Sequence, residues 1–259
     1  MSFDKLPPEI LFEITKDTQI PVLATLCATC HRFRDIFEPM LYAQGAKLAS
    51  SLVDHSCNPA AWAIDNVQPT TLKKLLASGL SPNMQVVGPR HGWSSASLLH
   101  LSVESPKLRH SANTSITKLL LDHGARVDIK DGSCATPLHW AAFYGGLGEP
   151  ETAPWMHLLL NYGADVNAED RAGFTPLHTA TMARNTLGVQ ILVYHKANKE
   201  VTNMWGHTPM LMATKSKYAA GKKILHEAGA ISAGIEEDSN LTPTPTPASR
   251  RTRRYCVVS

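Results

Sequence analysis

Three evenly spaced histidines are the first residues of this sequence to suggest chemistry. His100, His139 and His178 follow one another at intervals of 39 residues. Imidazoles that are brought together could bind zinc or transfer protons. Zinc ligands must all reach one ion at ~2.1 Å, whereas equivalent residues of successive structural units lie about one unit apart. The spacing therefore favours a structural role, and we predict no catalytic residue, metal site or cofactor.

A cysteine pair near the N-terminus has the spacing of another chemical site. Cys27-Ala-Thr-Cys30-His31 matches the attachment motif of c-type haem. Covalent haem attachment requires export, and the first residues of the chain lack the basic and apolar regions of a secretory leader. We therefore discount haem. The five cysteines are an odd number at irregular spacing, which favours reduced thiols in the cytoplasm over a disulfide framework.

The C-terminal residues contain a lipidation pattern. Cys256-Val-Val-Ser259 resembles the prenylation (CaaX) box, in which a terminal serine favours farnesyl. One lipid holds a membrane weakly, but each nearby arginine adds ~1 kcal/mol at an anionic leaflet. We expect a prenylated Cys256 and peripheral membrane attachment; the alternative is a nuclear localisation patch beside an ordinary thiol. The arginines in question are Arg250, Arg251, Arg253 and Arg254.

Composition indicates a globular protein. Of 259 residues, 43% are hydrophobic and 18% charged, which allows a substantial core. The net charge of +3 is too small to predict nucleic-acid binding. The sequence contains no stretch of 18 apolar residues, so it predicts no membrane-spanning helix. We expect a cytoplasmic, non-spanning protein.

Two short phrases recur along the middle of the chain. The first is Thr-Pro-Leu-His or a close variant, beginning at Thr136, Thr175 and Thr208. The second is a leucine run that ends in Gly-Ala, as in Leu119–Ala125 and Leu158–Ala164. Proline at the first turn, capped by the preceding threonine, predicts the start of a short helix. A glycine after the leucine run predicts the end of a second helix in a left-handed conformation.

These phrases, at a period of 33 to 39 residues, resemble the ankyrin repeat. The resemblance implies a mostly helical solenoid of about five helix-turn-helix units joined by hairpin loops. It also implies that the recurring histidine hydrogen-bonds loop backbone between adjacent repeats. The final unit carries Leu211 in place of that histidine, as an end cap would. The units are predicted at 58–91, 92–130, 131–169, 170–202 and 203–232.

A repeat stack presents its inner helices and hairpin tips as a concave wall that binds proteins. By analogy with the family, the wall carries several large side chains that could anchor a client protein. The alternative is that Trp140 and Phe143 pack against neighbouring units. The predicted client-binding residues are Trp140, Phe143, Tyr144, Phe174, Met182 and Trp205.

The N-terminal residues 1–45, the head, resemble an F-box. Three short helices are predicted there, the first beginning at Leu6-Pro-Pro-Glu-Ile10-Leu11. The resemblance implies docking onto a Skp-type adaptor of a cullin ubiquitin ligase. The contacts would be Leu6, Pro7, Pro8, Ile10 and Leu11. The alternative is a small helical cap that covers the first repeat and recruits nothing.

The complete architecture is therefore an all-α chain in four parts. The head is followed by a connector (46–57), the repeats (58–232) and a Pro/Thr/Arg-rich tail (233–259). We expect a non-enzymatic substrate receptor of a cullin ubiquitin ligase, monomeric outside that complex, that binds its client through the repeats and a membrane through the tail. The alternative function is a membrane-anchored ankyrin scaffold or inhibitor without a role in ubiquitination.

Overall fold

The computed structural model describes residue 46 and residues 58–87, 95–104, 114–144 and 154–230. The head, most of the connector and the tail lie outside these residues, and so do the predictions made for them. No helix in the described part is long and apolar enough to span a membrane.

Ten helices and one short strand pair make up the described chain. In chain order they are α1 (Pro59–Asp65), α2 (Pro69–Ala77), β1 (Gln85–Val87), β2 (Ser95–Ser97), α3 (Leu98–Glu104), α4 (Ser115–Asp122), α5 (Pro137–Tyr144), α6 (Pro154–Asn161), α7 (Pro176–Met182), α8 (Thr186–Tyr194), α9 (Pro209–Lys215) and α10 (Ala219–Glu227). The two strands pair antiparallel, with Val86 opposite Ala96. The predicted mostly helical solenoid is confirmed.

The helices stack in two layers. The inner layer runs α1, α3, α5, α7 and α9, with each helix packed on the next. Each inner helix also packs on the outer helix that follows it, giving helix pairs of one kind repeated five times. The core lies between the layers, where leucines such as Leu99, Leu120 and Leu138 are fully buried. Burial of these apolar side chains is what holds one unit to the next.

The helix boundaries follow from the recurring phrases. Thr175 and Thr208 accept hydrogen bonds from backbone amides in the first turns of α7 and α9, and a proline occupies the next position of each. The glycines after the outer helices take positive φ angles, for example +85° at Gly163. In the fourth unit the equivalent residue is Lys196, which holds φ at 61° without being glycine. A side chain in this region costs free energy that glycine avoids.

A ladder of side-chain hydrogen bonds joins the loops that follow the outer helices. Asn83 Oδ1 accepts from the Arg126 amide at 2.7 Å, and Asn167 Oδ1 accepts from the Asn198 amide at 2.7 Å. Between them, Asp128 Oδ1 accepts from the Asp165 amide at 3.0 Å. Burial, followed by the neighbouring carboxylate of Asp165, raises the pKa of Asp128. The ladder therefore contains one carboxylate where its neighbours have amides.

Candidate partner-binding groove

The three histidines that first suggested chemistry join adjacent repeats. Nε2 of His139 lies 2.9 Å from the Phe174 carbonyl oxygen, and Nε2 of His178 lies 3.0 Å from the carbonyl oxygen of His207. His100 makes the same contact with the Ala135 carbonyl oxygen at 3.1 Å. Because a carbonyl only accepts, Nε2 must carry the proton in each ring. The predicted structural role of the histidines is confirmed.

The second ring nitrogen of each histidine faces its own repeat. Nδ1 of His178 lies 2.9 Å from the Thr175 hydroxyl and accepts from the Thr175 amide at 3.2 Å. Both ring nitrogens are thus engaged in the neutral form, which leaves no site for an additional proton. Burial accordingly lowers the pKa values of His139 and His178. These buried imidazoles hydrogen-bond one repeat to the next and are poorly placed to bind a ligand.

Within the described residues no group of histidine, cysteine and carboxylate side chains is arranged to hold a metal ion. Cys134 takes part in a disulfide, so the expectation that all five cysteines are reduced is wrong for this residue.

The hairpin tips are shaped by one repeated side chain. Asp131, Asp170 and Asn203 each use Oδ1 to accept from two backbone amides, two and four residues further along the chain. For Asp170 both distances are 2.8 Å, to the amides of Ala172 and Phe174. An aspartate or asparagine performs this task equally, because only one side-chain oxygen is needed. The second oxygen of each aspartate is left for other partners.

Trp140 uses that second oxygen in its own repeat. Its indole Nε1 donates to Asp131 Oδ2 at 3.0 Å, and the ring packs edge-on against His100 with centroids 5.0 Å apart. Only 9% of Trp140 is exposed. Trp140 therefore fits the alternative of a side chain that packs within the repeats better than it fits an exposed anchor for a client protein. It forms the floor on which more exposed side chains rest.

A groove of about 430 Å³ opens above this floor, between α5 and α7 and their hairpin tips. Phe143 is 38% exposed and Met182 is 51% exposed. The large apolar and aromatic side chains that line the groove are five of the six predicted client-binding residues: Trp140, Phe143, Tyr144, Phe174 and Met182. These residues come from two repeats, so the groove exists only because the repeats stack. We refer to it as the α5–α7 groove.

The aromatic side chains of the groove support one another. Phe143 packs edge-on against Tyr144 with ring centroids 5.2 Å apart, and Tyr144 packs against Trp140 at 6.1 Å. On the other wall, Phe174 meets Trp205 of the next hairpin tip at 5.6 Å. Trp205 is 54% exposed and extends the apolar surface beyond the groove. Contacts of this kind hold the rings in place before a partner arrives.

Two acidic residues of the groove were missed at the level of sequence. Asp131 and Asp170 line it together with the hydroxyl-bearing Thr179. An aspartate or asparagine five residues before each Thr-Pro phrase is the signal that would have found them. Trp62 was missed as well: it is exposed on α1 at the position that Trp140 occupies on α5.

The comparisons with known proteins agree with this architecture. A sequence profile described as "Ankyrin repeats (3 copies)" matches residues 60–170 and 151–235, which together exceed half of the chain. The chain belongs to the ankyrin-repeat family. Its repeats make it a protein-protein interaction module. No curated protein matches the sequence.

Proposed function

We propose that the α5–α7 groove is where this protein binds a client protein. The observation that carries the proposal is the group of large apolar side chains that two repeats leave accessible together. Phe143 and Met182 remain well exposed although apolar residues of this size are usually buried. Binding hot spots are rigid aromatic and apolar side chains in a concave setting surrounded by polar groups. The groove has these features.

The test exchanges exposed groove residues and leaves the supporting floor intact. Phe143→Ala combined with Met182→Ala removes apolar contact area and costs about 1 kcal/mol of stability per site, because both side chains are partly exposed. Tyr194→Ala is the matched control, since Tyr194 is an 82% exposed aromatic residue at the end of the outer helix α8. Proteins that co-purify with the wild type and with Tyr194→Ala should be absent from the groove variant. Their persistence would refute a client site in the groove.

We propose in addition that the head docks onto a Skp-type adaptor, so that the protein selects substrates for a cullin ubiquitin ligase. The support is the Leu6-Pro-Pro-Glu-Ile10-Leu11 phrase and its resemblance to an F-box. Co-purification of the adaptor, and its loss on Pro8→Ala or Leu11→Ala, tests this step separately from client binding. If the client binds but the adaptor never does, the protein is an ankyrin scaffold or inhibitor instead. Neither function requires the chain itself to be an enzyme.

We propose further that Cys256 is prenylated and holds the protein at a membrane from its cytoplasmic side. The support is the Cys-Val-Val-Ser ending and the adjacent arginines, which provide the two signals that stable anchoring needs. Cys256→Ser should move the protein from the membrane fraction to the soluble fraction. An unchanged distribution, or accumulation in the nucleus before and after the change, would favour the localisation-patch alternative.

A further inference from the structure

The α5–α7 groove is acidic as well as aromatic. Asp131 and Asp170 line it, and none of its described lining residues is lysine or arginine. His139, which also lines it, is buried, and this burial lowers the pKa of its imidazole. The two cations adjacent in sequence to these aspartates donate to backbone carbonyl oxygens instead: Lys130 to Glu169 at 3.5 Å and Arg171 to Gly132 at 2.8 Å. The groove therefore presents negative charge that the described residues lining it do not neutralise.

The two carboxylates differ in what they can offer a partner. Asp131 is buried, and its oxygens are occupied by two backbone amides, the Ser133 hydroxyl and the Trp140 indole. Asp170 is half-buried and spends Oδ1 on two amides. Thr179 stands where Trp140 stands in the preceding repeat, so this position offers Asp170 Oδ2 no indole of the kind that Trp140 gives Asp131. The hydroxyl of Thr179 donates to the Thr175 carbonyl oxygen at 3.3 Å.

We propose that the α5–α7 groove receives an arginine or lysine side chain from an extended segment of the client, with Asp170 as the carboxylate that pairs with its charge. This inference rests on the proposed client site and specifies the chemistry of its occupant. The aliphatic stem of such a side chain packs on the apolar wall formed by Phe143 and Met182. The cationic head lies against aromatic faces and a fixed carboxylate, an arrangement that strengthens both interactions.

Charge complementarity selects this occupant over an acidic or a wholly apolar one. An acidic side chain would meet two carboxylates, and an apolar one would desolvate Asp170 Oδ2 without supplying a hydrogen bond or a positive charge. Arginine fits best, because its planar fork donates to a carboxylate while its face stacks on a ring. The volume of about 430 Å³ is near the lower end of ligand-binding pockets, which span roughly 300–1,000 Å³, and suits one long side chain with its neighbours.

Asp170→Asn should remove the charge without disturbing the hairpin tip, because another repeat of this protein has asparagine at the equivalent position. In the next repeat Asn203 Oδ1 accepts the two loop amides at 3.0 and 3.1 Å, so an asparagine at 170 preserves the hairpin tip. Glu169→Gln is the control: it removes the same charge from the adjacent, exposed residue outside the groove. Any long-range effect of net charge should appear in both variants.

The probe is a phage-displayed library of short random peptides selected on the full chain. Peptides recovered with the wild type should be enriched in arginine or lysine next to an aromatic or aliphatic residue. Synthesised singly, they should bind the wild type and Glu169→Gln alike, and Asp170→Asn at least tenfold more weakly. Raising salt from about 0.1 M to about 1 M should weaken wild-type binding and change Asp170→Asn binding much less.

Two kinds of failure are distinguishable. Peptides that bind through Phe143 and Met182 but carry no basic residue, or bind Asp170→Asn with unchanged affinity, overturn the cationic occupant and leave the client site standing. Recovered peptides whose binding is indifferent to Phe143→Ala with Met182→Ala overturn the client site as well.

Discussion

Replacing Trp140 by Phe removes a single hydrogen bond from the floor of the groove. The indole Nε1 that donates to Asp131 Oδ2 at 3.0 Å is lost, while most of the ring that packs on His100 remains. A hydrogen bond to a charged group contributes about 1.5–3 kcal/mol, and the smaller ring leaves a gap that costs about 1 kcal/mol more. We therefore expect the free energy of unfolding to fall by about 2.5–4 kcal/mol.

The matched second change is Asp131→Asn, made alone and together with Trp140→Phe. The last repeat already pairs an asparagine with an apolar residue that lacks an indole, since Asn203 shapes its hairpin tip and the residue facing it is Met212. Asparagine at 131 leaves no stranded carboxylate once the indole is gone. The double variant should therefore be more stable than the sum of the single changes predicts, with a coupling of about 1–2 kcal/mol.

Urea unfolding followed by far-ultraviolet circular dichroism measures these differences, because this signal does not depend on the tryptophan that is removed. Midpoints should shift without a change in the slope of the transition. A loss below about 0.5 kcal/mol for Trp140→Phe, or strict additivity of the two changes, would contradict the structural role assigned to the bond.

Four further perturbations test the turns and side-chain contacts that hold the repeats together. Lys196→Gly should stabilise the protein by about 0.5 kcal/mol, because glycine relieves the positive φ of this residue at some cost in chain entropy, and Gly163→Lys should destabilise it by about 1 kcal/mol. Lowering the pH below about 6.5 should destabilise the protein, because the buried His139 and His178 resist protonation. Each should contribute a loss of up to about 1.4 kcal/mol per pH unit. Thermal or urea unfolding at a series of pH values measures this loss. Asp128→Asn should raise the free energy of unfolding at neutral pH by a few tenths of a kcal/mol, measured by urea unfolding, because an amide serves the same ladder bond without facing a second carboxylate.

The signs of the two pH effects are opposite. The pKa values of the histidines are lowered in the folded state, so their contribution is complete above the unfolded value of about 6.5 and is lost as the pH falls. The pKa of Asp128 is raised in the folded state, so ionisation of its carboxyl lowers the free energy of unfolding, and this loss grows as the pH rises and the carboxyl ionises. These assignments would be contradicted if His178→Gln lost as much stability in acid as the wild type does. They would also be contradicted if Asp128→Asn changed the free energy of unfolding equally at about pH 3 and about pH 7.

The repeats were predictable because their signals are local and are repeated. Proline at 176, its capping threonine and the glycine at 163 each determine backbone conformation within a few residues, and the same phrases recur at a nearly fixed period. The role of the histidines followed from the same register. The two-stranded pairing of β1 and β2 was expected only as a hairpin loop, since its short segments carry no alternation of apolar residues.

The chemistry of the groove was less predictable. Trp140 and Phe143 lie three residues apart on one helix, and the sequence does not show that the first is buried on Asp131 while the second is exposed. That difference arises from the preceding hairpin tip, which folds back over the helix to place a carboxylate beside the indole. The surroundings of Asp170 likewise depend on Thr179, which stands where the preceding repeat has Trp140. The consequence for the carboxylate is clear only when the two hairpin tips are compared in the structure.

The central claim is that exposed side chains of the α5–α7 groove bind the client. The most direct measurement is the affinity of the co-purified client for three proteins: the wild type, the variant with Phe143→Ala and Met182→Ala, and the Tyr194→Ala control. Each exchanged side chain is accessible in the described structure. The account predicts a loss of at least tenfold in the groove variant and no change in the control. Equal affinity for all three proteins would contradict it.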